Sequence, residues 1–89
     1  MKRVERQLLK NISYMSRETA EDWLKENGFK FLAKRIISDT LTYFYIKEAN
    51  GNFYLAKMDG WWENWRPIIF QLTKHEYDKI TPALQKGGD

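Results

Sequence analysis

From Leu41 to Met58 apolar and polar residues alternate in two runs rich in Tyr, Phe and Ile, separated only by Asn50–Gly51. A type I′ turn needs positive φ at both central residues, which Asn and Gly adopt at least cost, so the pattern predicts a β-hairpin. That turn fixes the register: Ala49 opposite Asn52, Glu48 opposite Phe53, Ile46 opposite Leu55 and Phe44 opposite Lys57. One face of the hairpin then carries Phe44, Ile46, Phe53 and Leu55. The other carries Tyr43, Tyr45, Lys47, Tyr54, Ala56 and Met58. A slip of one residue would exchange the faces wholesale, so the turn specifies which set meets which layer.

Helical spacing flanks the hairpin. Val4, Leu8 and Ile12 recur at four-residue steps and predict an amphipathic helix over residues 2–13, too short to persist unless it packs on something. Ser16 is an N-cap candidate for a helix over Arg17–Asn27, ended by Gly28. Its apolar stripe is Ala20, Trp23 and Leu24, and Glu18, Glu21, Asp22 and Glu26 make the outer face acidic. A first strand is expected over Phe29–Ser38. Its alternation slips at Arg35–Ile36–Ile37, which suggests a bulge or burial on both sides. Ser38, Asp39 and Thr40 supply the turn into the hairpin.

After Met58, Asp59–Gly60 reads as a second two-residue turn, which would place Trp62 on the Phe44 face and Trp61 and Trp65 on the tyrosine face. The alternative is an open loop over residues 59–66 with a strand starting at Pro67, which has no ladder donor. Ile68, Phe70 and Leu72 share parity with Trp62, which supports one continuous face with the Phe44 set. Thr73 and Glu76 form a capping box that opens a helix presenting Tyr77, Ile80 and Leu84. Pro82 predicts a stop at Ile80 and a fresh turn beyond it. The expected fold is α+β: a three- to four-stranded antiparallel meander with N-terminal helices and a C-terminal helix, in the order αα-ββββ-α, the helices packing on the Phe44 face. Residues 1–13 form a helix or arm, 14–86 a single domain and 87–89 a flexible tail.

Composition narrows the class. A chain of 89 residues, 43% hydrophobic and 16% aromatic, suffices for one core. It contains no cysteine, which removes disulfides, thiolate metal sites and cysteine nucleophiles together. No apolar run near the start is long enough for a leader or a membrane span, so a cytoplasmic, full-length protein is expected. The net charge of +3 suggests nucleic acid, but residues 1–10 hold Lys2, Arg3, Arg6 and Lys10 against Glu5 and account for all of it. The rest of the chain is neutral. Abundant Lys, Ile, Asn, Phe and Tyr with sparse Pro, Ala and Gly match an AT-rich coding source, such as a phage or mobile element.

The chemistry of catalysis is thin. His75 is the only histidine and lies in the first turn of the last helix, and no phosphate loop, metal-ligand cluster or nucleophile elbow occurs. We therefore expect no enzyme, no metal and no cofactor. The order helix–three strands–helix resembles double-stranded-RNA-binding domains and the small RNA-cleaving toxins that share their shape. The likeness is topological: Ser38-Asp39-Thr40-Leu41-Thr42 stands where the toxins have Gly-Ser-His. In the last helix Lys74, Lys79 and Lys86 are offset by Glu76 and Asp78, unlike the lysine cluster of the RNA binders.

The tyrosine face is the candidate site. An uncovered aromatic sheet face would be a large patch for a soluble monomer, although the helix of residues 2–13 would suffice to cover much of it. Tyr43, Tyr45, Tyr54, Trp61, Trp65 and Arg66 are the residue types that dominate protein interfaces. The expectation is a small protein-binding module, for instance an accessory inhibitor of a host or defence enzyme. The alternative partner is single-stranded nucleic acid, stacked on the aromatic face with Lys2, Arg3, Arg6, Lys10, Lys47 and Lys57 on the phosphates. No membrane partner is expected, and the N-terminal helix or the aromatic face would also serve a homodimer.

Overall fold

At the Asn50–Gly51 turn the backbone turns left-handed at both residues, with φ of 53° and 78°, as a type I′ hairpin requires. The two strands it joins, β3 (Thr40–Ala49) and β4 (Asn52–Asp59), pair from Ala49↔Asn52 to Thr42↔Asp59 in the expected register. This is a computed structural model; it describes residues 1–86, without the Trp61 side chain, so the expected tail at 87–89 lies outside the described residues. The complete order is β1 (Lys2–Arg3), α1 (Glu5–Leu8), α2 (Arg17–Glu26), β2 (Lys30–Ile37), β3, β4, β5 (Ile68–Leu72) and α3 (Lys74–Lys86). All five strands lie in one antiparallel sheet, ordered β1-β5-β4-β3-β2. The fold is α+β, with one strand more than the sequence suggested.

Both faces of the sheet are covered. Ala20 and Leu24 of α2, with Val4, Leu9 and Met15 from the N-terminal segment, bury Tyr43, Tyr45, Ala56, Met58 and Ile69. Tyr77, Ile80 and Leu84 of α3 pack against Phe44, Leu55 and Leu72 on the other side. The division of residues between faces is the one the hairpin dictates, but only α3 lies on the Phe44 face. The layer expected there from all the helices is split in two.

The N-terminal segment departs furthest from the pattern. The expected helix over residues 2–13 is reduced to the single turn Glu5–Leu8, because Lys2 and Arg3 pair with Gln71 and Phe70 as an edge strand. Leu8 and Ile12, two-thirds of the anticipated stripe, are 48% and 37% exposed, while Leu9 points into the core at 1%. The anchor is polar. Glu5 is buried, and its carboxylate accepts from the Ile69 amide at 3.2 Å and from the Arg3 Nε at 2.9 Å. A strand clamped in this way cannot also be the first turn of a helix.

The α2 boundaries follow from their caps: Ser16 Oγ accepts from the Thr19 amide at 3.2 Å, and the helix ends at Glu26. Thr73 and Glu76 satisfy each other's amides at 3.1 and 2.8 Å, the capping box in full. The expected break at Ile80 is absent, and α3 runs through Pro82 to Lys86. Ile80 and Leu84 pack on the sheet on both sides of the proline, and that burial outweighs one missing helical hydrogen bond.

Asp59–Gly60 is not a hairpin turn. The chain leaves β4 after Asp59 and runs as an open loop over residues 60–67, close to the alternative reading, with a 3-10 turn at Trp61–Glu63, and β5 starts just after Pro67. Trp62 is 82% exposed, at φ 58°, and does not join the Phe44 face. Gly60 is required for a different reason: a Cβ there would lie 2.5 Å from the Trp65 ring. Trp65 is itself held, its ring 5.9 Å from that of Tyr43 and its amide donating to the Met15 carbonyl at 2.8 Å. Gly60→Ala is therefore expected to destabilise the fold by about 1–3 kcal/mol, the usual cost of overpacking, read as a lower urea midpoint at unchanged slope.

Candidate functional site

The tyrosine face does not stand open. Tyr43 and Tyr45 are 7% and 2% exposed, under α2, and belong to the main core. Tyr54 is half-buried, with the Phe29 ring 6.5 Å away and the Lys47 ammonium 5.8 Å from its ring. Trp65 is half-buried against Tyr43, and the Trp61 side chain lies outside the described residues. Arg66 fastens the N-terminal loop, its guanidinium donating to the Ile12 carbonyl at 2.5 Å and the Leu9 carbonyl at 3.4 Å. Asn64 assists by accepting from the Met15 amide at 3.1 Å and donating to the Ser13 carbonyl at 3.0 Å. Four of the six candidate interface residues thus hold the fold together and form no exposed patch.

The basic residues do not converge either. Lys47 pairs with Tyr54 and Lys57 with Phe44, so the two project from opposite faces of the sheet. Arg3 is tied to Glu5, while Arg6 and Lys10 are exposed on the N-terminal segment. His75 is exposed on α3, and among the described residues no three His, Cys, Asp or Glu side chains gather as metal ligands.

What the fold leaves open is the outer edge of β2. This strand is the last in the sheet, and among the described residues no strand pairs with its far side. In an antiparallel edge strand the N–H and C=O groups of alternate residues point away from the sheet, as a template for another strand. A register shift between Phe31 and Ala33 places a bulge at Leu32, beyond which Ala33–Ile37 pairs regularly with Phe44–Thr40. Three large apolar side chains of β2 are in solvent: Phe31 at 57%, Ile36 at 75% and Ile37 at 44% exposed.

A cleft of about 460 Å³ runs along this edge, lined by Arg17 and Glu21 of α2 and by Phe31, Lys34 and Arg35 of β2, with Tyr43 and Tyr45 as its floor. Phe31 meets Tyr45 and Tyr43 edge-on at 5.6 and 6.3 Å. The Arg17 guanidinium sits over the Tyr43 ring at 4.6 Å and reaches Glu21 at 3.7 Å. Burial, and after it the Glu21 carboxylate at 3.5 Å, push the Tyr45 hydroxyl above its ordinary pKa, so at neutral pH it is a fixed donor to Glu21. The wall of the cleft is accordingly rigid and aromatic, and the charge along its rim is mainly positive.

None of the β2 residues stood out as binding residues in the sequence. The signal is the slip at Arg35–Ile36–Ile37, which suggests a bulge or burial on both sides; the bulge lies earlier, at Leu32, and the two adjacent isoleucines are exposed, one on each face. Lys30, Lys34 and Arg35 within one strand were the better guide, since charged residues mark edges. Among the described residues no helix is long and apolar enough to cross a membrane. No family model, curated protein or solved structure matches the chain.

Proposed function

We propose that the protein is a small binding module that receives an extended segment of a partner protein as a sixth strand along β2, and acts by occluding or adapting that partner. The observation that carries this reading is the eight-residue outermost strand with three exposed large apolar side chains beside an aromatic cleft. Strand addition draws affinity from main-chain hydrogen bonds and selectivity from alternate side chains in adjoining pockets. Phe31 and the cleft under Arg17 supply such a pocket. The site differs from the Trp61–Arg66 segment singled out in the sequence, because Arg66 and Trp65 are occupied in fastening the N-terminal loop. Stacking of single-stranded nucleic acid has less support. Tyr43 and Tyr45 are buried, Phe31 is the one exposed ring on this edge among the described residues, and the lysines are scattered.

The test is a selection from a random peptide library, followed by amide shift mapping and hydrogen exchange on the labelled protein. Selected peptides are expected to shift the Lys30–Ile37 amides and slow the exchange of those that face outward. Peptides that map instead to the Trp62 loop or the N-terminal loop would sink the proposal.

A further inference from the structure

We infer that the strand received at β2 is acidic, with Asp or Glu alternating among apolar residues; this rests on the strand-addition reading above. β2 carries Lys30, Lys34 and Arg35 and no carboxylate. Pairing with β3 places these charges on both sides of the sheet. Lys34, opposite Tyr43, projects with Phe31 and Ile36 towards α2, while Lys30, opposite Ile46, projects with Ile37 towards α3. Either face of an added strand therefore meets at least one cation and one exposed apolar side chain. On the α2 side Arg17 adds a further cation at the cleft, where among the described residues Glu21 is the only carboxylate and already serves Arg17 and Tyr45. Directly opposed residues on neighbouring strands lie close enough for side chains to pair, and like charges there are destabilising.

That charge also decides against the other occupants of an open edge. A second copy would bring a second β2, setting six cations on adjacent strands that contribute no carboxylate between them. The bulge at Leu32 discourages the same self-pairing. Cationic residues on an edge protect it from its own kind, and the same residues attract a strand of opposite sign. A nucleic acid would satisfy the cations but would leave the backbone ladder and the exposed Ile36 and Ile37 unused.

The experiment uses the full chain, isotopically labelled, and three synthetic peptides with one apolar frame whose intervening positions are all Glu, all Ser or all Lys. The Glu peptide is expected to bind β2 about tenfold more tightly than the Ser peptide, which two or three opposed pairs can supply, and the advantage should vanish in high salt. A Lys30→Glu/Lys34→Glu variant, altered only at exposed positions, should transfer the preference to the Lys peptide. Equal shifts of the β2 amides by all three peptides would overturn the acidic preference and leave strand addition standing. No effect on β2 from any peptide would overturn both. A single-stranded oligonucleotide that displaces the Glu peptide, or a dimer joined through β2 in the free protein, would overturn the acidic strand in favour of that occupant.

Discussion

Leu24→Ala is expected to lower the stability of the domain by about 3–4 kcal/mol, within the range found for buried leucines. Leu24 is fully buried and, with Ala20, seats α2 over Tyr43, Tyr45 and Met58. The tyrosine rings beneath it are stiff and braced by Phe31 and Trp65, so the site cannot collapse around the missing atoms. For a chain of 89 residues, whose total stability is roughly 4–13 kcal/mol, that is a large share. The informative control is Ile36→Thr, which keeps a β-branched side chain at a position 75% exposed. It should change stability by no more than about 0.5 kcal/mol. Urea titrations of the two variants beside the parent protein separate the alternatives. If Leu24→Ala proves mild, the tyrosine face is not the principal core. If Ile36→Thr proves costly, the β2 edge is covered by something that buries Ile36.

The contrast between these two residues also shows what could be read from the chain. Short-range chemistry was legible: the Asn50–Gly51 turn, the Ser16 cap and the Thr73–Glu76 box each satisfy local backbone groups and are found where their residues predict. The division of β3 and β4 into two faces followed from the turn, because the side-chain period of a strand leaves no freedom once the register is set. What alternation cannot reveal is which layer covers which face. Tyr43 and Tyr45 would look the same in sequence beneath a helix or in solvent, and the helix that covers them lies upstream, with its own stripe compatible with either face. The N-terminal segment failed for a related reason. Periodicity at Val4, Leu8 and Ile12 is a local signal, whereas the pairing of Lys2 and Arg3 with Gln71 and Phe70 spans nearly the whole chain. The candidate site was missed because an exposed edge strand and a strand buried on both sides share one sign, adjacent apolar residues, and differ only in their neighbours.

Glu5→Ala should be the most damaging substitution of a charged residue, at about 2–4 kcal/mol. The variant leaves the buried Ile69 amide without an acceptor and opens a void beside the core. Glu5→Gln keeps an oxygen for that amide and should cost only about 1 kcal/mol at neutral pH. The two are told apart more sharply by pH. Burial, the strongest single influence on the Glu5 carboxyl, pushes its pKa up, but the Arg3 guanidinium and the backbone amides of Glu5 and Ile69 together hold it below the ordinary value. A carboxyl whose pKa is lower in the folded than in the unfolded chain binds fewer protons when folded. Its contribution is complete above the unfolded value of about 4.3 and is lost as the pH falls through the lowered folded value. Glu76 is lowered as well, by the Thr73 amide and then by the terminal ammonium, and adds acid-side dependence to parent and variant alike. The difference in unfolding free energy between the parent protein and Glu5→Gln should therefore be constant near neutrality and shrink on acidification. In Arg3→Met, by contrast, burial faces only the two backbone amides, and the Glu5 carboxyl should titrate at higher pH than in the parent protein. Carboxyl shifts followed by NMR would measure this directly. A Glu5 pKa unchanged by Arg3→Met would mean that the amides alone hold the charge, and that the tie between β1 and β5 does not depend on the guanidinium.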